Sequence, residues 1–452
     1  MGGGLLQLVA YGAQDAYITG NPHITFWKVL YKRHTNFAME AFRVNFTGSP
    51  TYGQRVVAVV NRNADLVWKT YVEVTLPDMV TGPNPDVTWT SGAQRRLGYL
   101  LLKQVEVEIG GQVIDRHYGE WLYLWETLSA DFDTSLKLDT MVGGQYSGTT
   151  SSFQTCNGRT NVLYIPLQFW FNRNPGLALP LIALQYHEVR FNITLNDAIN
   201  LVSGTPTSAG TIATQASRLQ PLRDMALYID YIYLDVDERR RFAQESHEYL
   251  IDQLQYEGQQ QISTSSARLD LTLNHPVKEL IWVFQDARLT DCGSTTSVNN
   301  GYTQPFTYND IVDRARLQIN GQDRFDERYG DYFWKVQPYQ HHTGGAFSRA
   351  IVVTNDTTSA TDAVISRTSP NPINVYSFAI QPEEHQPSGT CNFSRIDTAT
   401  LVYDSVKPNT ANSNNDDGSY PSKAYPYNFR IYAVNYNIFR IMSGMGGLAY
   451  SN

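Results

Sequence analysis

One stretch of this chain occurs twice, and the echo limits what the whole can fold into. Residues 105–122 read V-E-V-E-I-G-G-Q-V-I-D-R-H-Y-G-E-W-L, and residues 315–333 read A-R-L-Q-I-N-G-Q-D-R-F-D-E-R-Y-G-D-Y-F. Ile109, Gly111 and Gln112 answer to Ile319, Gly321 and Gln322. After one extra residue in the second copy, Asp115, Tyr118, Gly119 and Glu120 answer to Asp326, Tyr329, Gly330 and Asp331. Val105, Val107 and Ile109 alternate with polar residues, as do Ala315, Leu317 and Ile319, so each copy reads as a half-buried strand entering a glycine turn. A repeat about half a chain apart indicates two related domains in tandem. The length agrees, because 452 residues exceed what one core normally organises.

Composition narrows the class. Aromatic residues are 12% of the chain, with 29 Tyr, while charged residues are only 17%. Such chains suit β-sandwiches, whose strands favour aromatics, and broad protein interfaces, which enrich Tyr and deplete Lys and Glu. The net charge of −8 argues against a sequence-independent grip on nucleic acid. Three cysteines (Cys156, Cys292 and Cys391) form neither a disulfide framework nor a zinc knuckle and fit a reducing compartment. No apolar run is long enough to span a membrane. The opening residues lack the basic segment and apolar core of a signal peptide, and Leu6 breaks the myristoylation pattern.

Along the chain, the reading is an N-terminal arm over 1–35, a first sandwich over 36–236, a linker helix over 237–255 and a second sandwich over 256–452. The helix is expected from Asp237 as its cap, with Phe242, Ala243, Tyr249, Leu250 and Leu254 on one face. Long polar loops are expected near 77–92, 143–161 and 203–217, and again at 291–304, 354–372 and 408–422. Ile229-Asp230-Tyr231 and Val434-Asn435-Tyr436 end the two halves alike. The expected fold class is all-β, two tandem eight-stranded jelly-roll sandwiches with the arm and the inter-domain helix. An immunoglobulin-like sandwich carries the same local signals.

Catalytic motifs are scarce. His341-His342 has no third ligand at zinc spacing. Asp235, Asp237 and Glu238 sit where a helix begins and serve as capping acids. Arg239-Arg240-Arg241 lies among acids and reads as a solvated or inter-subunit face. The Gly-Gly pairs at 110, 143 and 344 lack a Walker lysine, and no G-x-S-x-G occurs. No cofactor or metal site is expected. A lectin-like groove lined by aromatics is the enzyme-side alternative to core and interface.

Several further segments resemble one family: the double jelly-roll major capsid proteins of nucleocytoplasmic large DNA viruses. They include the opening G-G-L-L-Q-L-V-A-Y-G-A-Q-D (3–15), T-G-N-P (19–22), Y-K-R-H-T-N-F-A (31–38), L-Q-Y-H-E-V (184–189), D-Y-I-Y-L-D (230–235) and D-E-R-R-R-F-A-Q-E-S-H-E-Y-L (237–250). The most specific is P-E-E-H-Q-P-S-G-T-C-N-F-S-R-I-D (382–397). The long loops do not share in it. The resemblance implies a structural virion protein with no catalytic site, a homotrimer whose six jelly rolls make a pseudo-hexagonal capsomer, and contacts with neighbouring capsomers. It also implies an arm on the inner side of the shell, near minor capsid proteins and the inner membrane, no direct hold on the genome, and assembly in host cytoplasm. Tyr231, Tyr233, Arg240, Phe242 and Tyr249 are the expected core or trimer-contact residues. The alternatives are a β-sandwich carbohydrate-binding protein or glycosidase, and a minor capsid protein of the same virus class.

Overall fold

The computed structural model describes residues 12–14, 34–77, 88–89, 96–143, 162–203, 220–264, 266–287, 306–345, 371–406 and 427–450. Most of the expected arm, Cys156, Cys292 and the bodies of the long loops lie outside these residues. The chain divides into two compact units, Met1–Phe37 and Ala38–Asn452. Within the first, the His34 ring stands edge-on to Phe37 at 5.8 Å. The rest of this section concerns the second.

Eight strands build a first lobe: β1 (Phe37–Asn45), β2 (Arg55–Val59), β3 (Leu66–Thr75), β4 (Leu102–Ile109), β5 (Gln112–Tyr118), β6 (Val162–Pro166), β7 (Val189–Leu195) and β8 (Asp224–Leu234). They form two antiparallel sheets in the orders β1-β8-β3-β6 and β2-β7-β4-β5. Helices α1 (Gly119–Ser129) and α2 (Phe132–Val142) follow β5, and α3 (Val236–Gln244) follows β8. The second lobe adds β9 (His247–Ile262), β10 (Ala267–Asp270), β11 (Pro276–Asp286), β12 (Val312–Ile319) and β13 (Gln322–Asp323). A π-helical turn, Tyr332–Val336, runs into α4 (Gln337–His341), before β14 (Asn374–Ser377), β15 (Ala399–Val406), β16 (Tyr427–Met442) and β17 (Met445–Leu448). Its sheets run β9-β16-β11-β14 and β10-β15-β12-β13. Adding eight to each label of the first lobe gives the second, so the chain is a double jelly roll.

The sequence repeat is the β4–β5 hairpin and its counterpart, β12–β13. Gly110 and Gly111 turn the first hairpin at φ +59° and +86°, and Asn320 and Gly321 turn the second at φ +50° and +77°. Two successive positive φ values are the tight hairpin turn that Asn-Gly and Gly-Gly favour. The later glycine of each copy is required by close approach. A Cβ on Gly119 would lie 2.0 Å from the Tyr99 carbonyl oxygen, and one on Gly330 would lie 2.2 Å from that of Val312.

The two lobes do not have equivalent sheets. In the first, one side of β3 is buried and the other half-exposed, the usual alternation. The sheet β9-β16-β11-β14 is covered on both sides. Leu280, Trp282 and Phe284 of β11 pack with Phe429, Ile431 and Ala433 in the second lobe's own core. Their neighbours Ile281, Val283, Tyr432 and Val434 belong instead to the cluster built around the first lobe. Hence E-L-I-W-V-F and the body of β16 read as continuous rather than alternating runs. Side chains of the edge strand β9 hold the backbone of the segment that leads into β11. Gln255 donates to the Asn274 carbonyl (2.6 Å) and accepts its N–H (2.9 Å), and Glu257 accepts the Thr272 N–H. The Leu254 N–H donates to Asp115 of the first lobe at 3.1 Å.

The expected helix over 237–255 needs correction. The helix ends at Gln244, and from His247 the chain is a strand paired along its length with β16. Asp235, not Asp237, is the cap, accepting the Val236 N–H at 2.8 Å. The run Y-L-I after Ser246 favours a strand, and β16 supplies the ladder that local periodicity cannot register. Leu179–Pro180 is a two-residue strand that gives way to a turn.

Two-sided burial has a direct consequence. Leu280→Ala and Ile281→Ala should each lower stability by about 2–5 kcal/mol, as large-to-small changes in a full core do. Denaturant unfolding of both variants checks this, since a one-sided sheet would leave one of them near neutral.

Candidate functional site: the lobe junction and the faces left bare

Helix α1 begins where the first repeat ends, and it carries the junction. Glu120 lies in its first turn. Both of its carboxylate oxygens are engaged by the second lobe: Arg430 Nε and Nη2 approach at 2.6 and 2.7 Å, and the Tyr432 and Tyr308 hydroxyls donate at 2.5 and 3.1 Å. This is a forked arginine–carboxylate pair held out of water. Tyr118 packs on Tyr256 with ring centroids 4.8 Å apart, and Trp121 meets Tyr432 at 5.7 Å. Further along α1, the Tyr123 hydroxyl accepts from Asn371 (2.9 Å) and the Leu128 carbonyl accepts the Gly344 N–H (2.6 Å). Burial pushes the Tyr308 and Tyr432 hydroxyls well up, and the Glu120 charge adds to it, so both stay protonated donors.

On its other side α1 anchors the roots of two long loops. Buried Arg96 reaches Glu126 (2.6 Å) and Asp139 on α2 (2.6 Å), and the Tyr99 hydroxyl donates to Glu126 (2.6 Å). Burial pushes Glu126 up to about 7 against the pull of Arg96 and Tyr99.

A second buried cluster pins the segment after α4. His342 lies between Glu279 of β11 and Glu383, with Nε2 and Nδ1 each 3.0 Å from a carboxylate oxygen. Thr343 adds its N–H and hydroxyl to Glu383, at 3.0 and 2.6 Å. Burial alone would push an imidazolium down. The two carboxylates outweigh it and hold His342 up at about 9, doubly protonated and donating both ways. Despite its own burial, Glu383 is kept below the usual carboxylate range by the hydrogen bonds from His342 and Thr343. His341 pairs with the Ile380 carbonyl at 2.9 Å. The adjacent histidines therefore have structural partners, and among the described residues no His/Cys/Asp/Glu group is arranged for a metal.

The residues expected at core or trimer contacts fall in different places. Tyr231 is buried, and its hydroxyl donates to the Asn61 carbonyl at 2.7 Å. Tyr233 and Tyr249 are half-buried against the main core. Phe242 packs on a small cluster with Leu66, Ala178 and Ile232, and stacks on His247 at 5.3 Å. Arg240 is exposed, and among the described residues it has no ion pair; its neighbours Arg239 and Arg241 pair with Asp65 and Glu245. The junction residues Glu120, Arg430, Glu279 and His342 were not singled out as a network, because they are brought together from segments far apart. The one available signal was that Glu120 lies inside the repeat.

Two bare faces remain. On the outer side of β1-β8-β3-β6, Tyr71 stacks on Tyr228 (5.1 Å, 1° between rings) and meets Tyr164 edge-on. In the second lobe, Tyr329 is 62% exposed and Tyr339 is 86% exposed.

Comparison with known proteins places this architecture. The family described as "Major capsid protein N-terminus" matches residues 25–235, and "Large eukaryotic DNA virus major capsid protein" matches 238–346 and 356–447. The chain belongs to the major capsid proteins of large eukaryotic DNA viruses. It is 46% identical to the major capsid protein of Pyramimonas orientalis virus and 41% identical to that of Phaeocystis pouchetii virus, each over the full length of both chains. It also resembles the chain in the quasi-atomic model of the PBCV-1 virus capsid, with 36% identity, TM-score 0.71, and coverage of 95% of this chain and 100% of that one. The protein is a structural component of the virion, located in the capsid shell.

The junction yields two expectations. Glu120→Ala leaves Arg430 buried without its partner and should cost about 3–5 kcal/mol, read by thermal unfolding. His342 has a raised folded-state pKa, so its contribution to stability is complete below its ordinary value of 6.5 and fades as pH rises through about 9. The melting temperature should fall across that window, and His342→Gln should flatten the fall.

Proposed function

We propose that this major capsid protein works by self-assembly alone, three copies closing into a pseudo-hexagonal capsomer that tiles an icosahedral shell. The strand-for-strand repetition of one jelly roll by the other carries the reading. A chain with two lobes of one topology supplies two of six similar positions, and three copies around a closed axis supply all six. Hexagonal units pack edge to edge on a flat facet, where each meets neighbouring capsomers through many weak contacts. The shared chemistry of the two lobes is structural, and its buried charges are spent on internal ion pairs, so the protein is not an enzyme. The N-terminal arm faces the inside of the shell, toward minor capsid proteins and a lipid membrane. The net charge of −8 supports a shell that does not hold the genome directly. Assembly takes place in the host cytoplasm. Of the five residues named from sequence, we assign Arg240 to a contact with another copy; its exposure and the lack of an ion pair among the described residues support this.

Light scattering of the purified chain, followed by negative-stain imaging, tests this. The expected particle has the mass of three chains and a six-cornered outline. Arg240→Ala should lower the temperature at which that particle dissociates. A chain that stays monomeric at high concentration, or that binds glycans as an isolated monomer, would instead favour the sugar-binding reading.

A further inference from the structure

Helix α2 is complete in itself and lightly seated. Asp131 caps its start by accepting the Thr134 N–H at 3.1 Å, and Gly143 closes its end at φ +84°. Yet of its 11 residues only Ser135 and Val142 are buried, and Phe132 is left 42% exposed. An element with so few buried apolar contacts opens at low free energy. Its remaining hold is polar and passes through one guanidinium. Arg96 enters the short helix Leu97–Leu101. It donates to Asp139 through Nε and to the Ser135 hydroxyl through Nη2 (3.2 Å), while Nη1 turns to Glu126 of α1.

The charges of this cluster are uneven: one cation faces two carboxylates, Glu126 and Asp139. The other groups around Glu126 are neutral. They are the Tyr99 hydroxyl, which donates to it, the Ser135 hydroxyl, and Tyr123, whose ring lies against Arg96. Burial pushes both phenols up, so neither adds a charge. With both acids ionised, a net negative charge is held out of water, which is costly. A proton on one acid removes it. The Glu126 side chain is 3% exposed and that of Asp139 is 25% exposed. Water therefore supports the Asp139 charge, and the proton belongs on Glu126. Burial, with Asp139 adding to it, holds that carboxyl at about 7.

We propose that Glu126 is a proton-dependent latch for α2. Protonated, it leaves Arg96 to Asp139 and the helix is held. Ionised, it competes for Arg96 and the helix is loosened. Asp139 is the partner that gives way, because its charge is the one water can receive. The carboxyl binds its proton more tightly enclosed than at its ordinary value of 4.5, so the hold is complete below that value and fades as pH rises through about 7.

Hydrogen exchange of the full chain, read by mass spectrometry and corrected for the intrinsic pH dependence of amide exchange, tests this. In peptides from α2, protection should fall about tenfold between about pH 6 and about pH 8, as release of one proton over that window requires. Glu126→Gln fixes the neutral form while keeping an acceptor for Tyr99 and Arg96, and should leave α2 strongly protected at both pH values. Asp139→Asn removes the competing acid, so Glu126 ionises at lower pH beside Arg96. That variant should exchange faster than wild type at the lower pH and show no further fall at the higher. A cluster with a structural role alone would hold α2 equally at both pH values. Wild-type protection that does not change, or a tenfold fall that persists in either variant, overturns the latch.

Discussion

The central strands β16 and β11 of the sheet β9-β16-β11-β14 are buried on both sides, and the rest of the molecule is arranged around that fact. A wall between two cores must present apolar side chains in both directions, so every residue along its central strands is committed. Polar groups that fall within it cannot be left alone, since an unpaired buried charge costs several kcal/mol. Three buried cations are paired: Arg430 with Glu120, His342 between Glu279 and Glu383, and Lys278 on Asp252 at 3.0 Å. The Arg430–Glu120 pair fixes which part of the first lobe faces which part of the wall, because apolar packing tolerates sliding and an ion pair does not.

The architecture was legible in the sequence to the extent that it was local or repeated. The alternation into Gly110-Gly111 and Asn320-Gly321 announced two hairpins, and their likeness announced two lobes. The 237–255 helix was half right: charges and a cap at Asp235–Glu238 do start a helix, but β9 owes its conformation to β16, a partner nearly two hundred residues later. The junction was illegible for the same reason. Nothing in the spacing of Glu120 and Arg430, or of His342 and Glu383, sets them side by side; only the completed topology does. Tyr231 and Tyr249 looked alike as aromatic candidates, yet one lies in the core and the other at its margin.

The resemblance to viral shell proteins rested on segments that the structure now explains physically. L-Q-Y-H-E-V meets the C-terminal hairpin, where the Tyr186 N–H donates to the Gly444 carbonyl at 3.0 Å and His187 lies 3.0 Å from the Gly446 carbonyl oxygen. P-E-E-H supplies Glu383 to His342. Two of the segments that mark the family thus lock one lobe to the other or pin a loop to the wall.

The order of the strands also sets an order of events during synthesis. The first lobe is complete at Leu234, and its junction face, with Tyr118 and Glu120, is ready before any of the second lobe has emerged. The second lobe has no such independence. Its edge strand β9 ends at Ile262, while the strand that joins it to the wall begins at Tyr427. At ribosomal speeds of about 5–20 residues per second, roughly 8–30 s separate the two. Throughout that interval β9 and β11 lack the strand that lies between them. The early lobe, already folded, is the surface on which they can wait, so the first half of this chain acts as a scaffold for the second before either belongs to a shell.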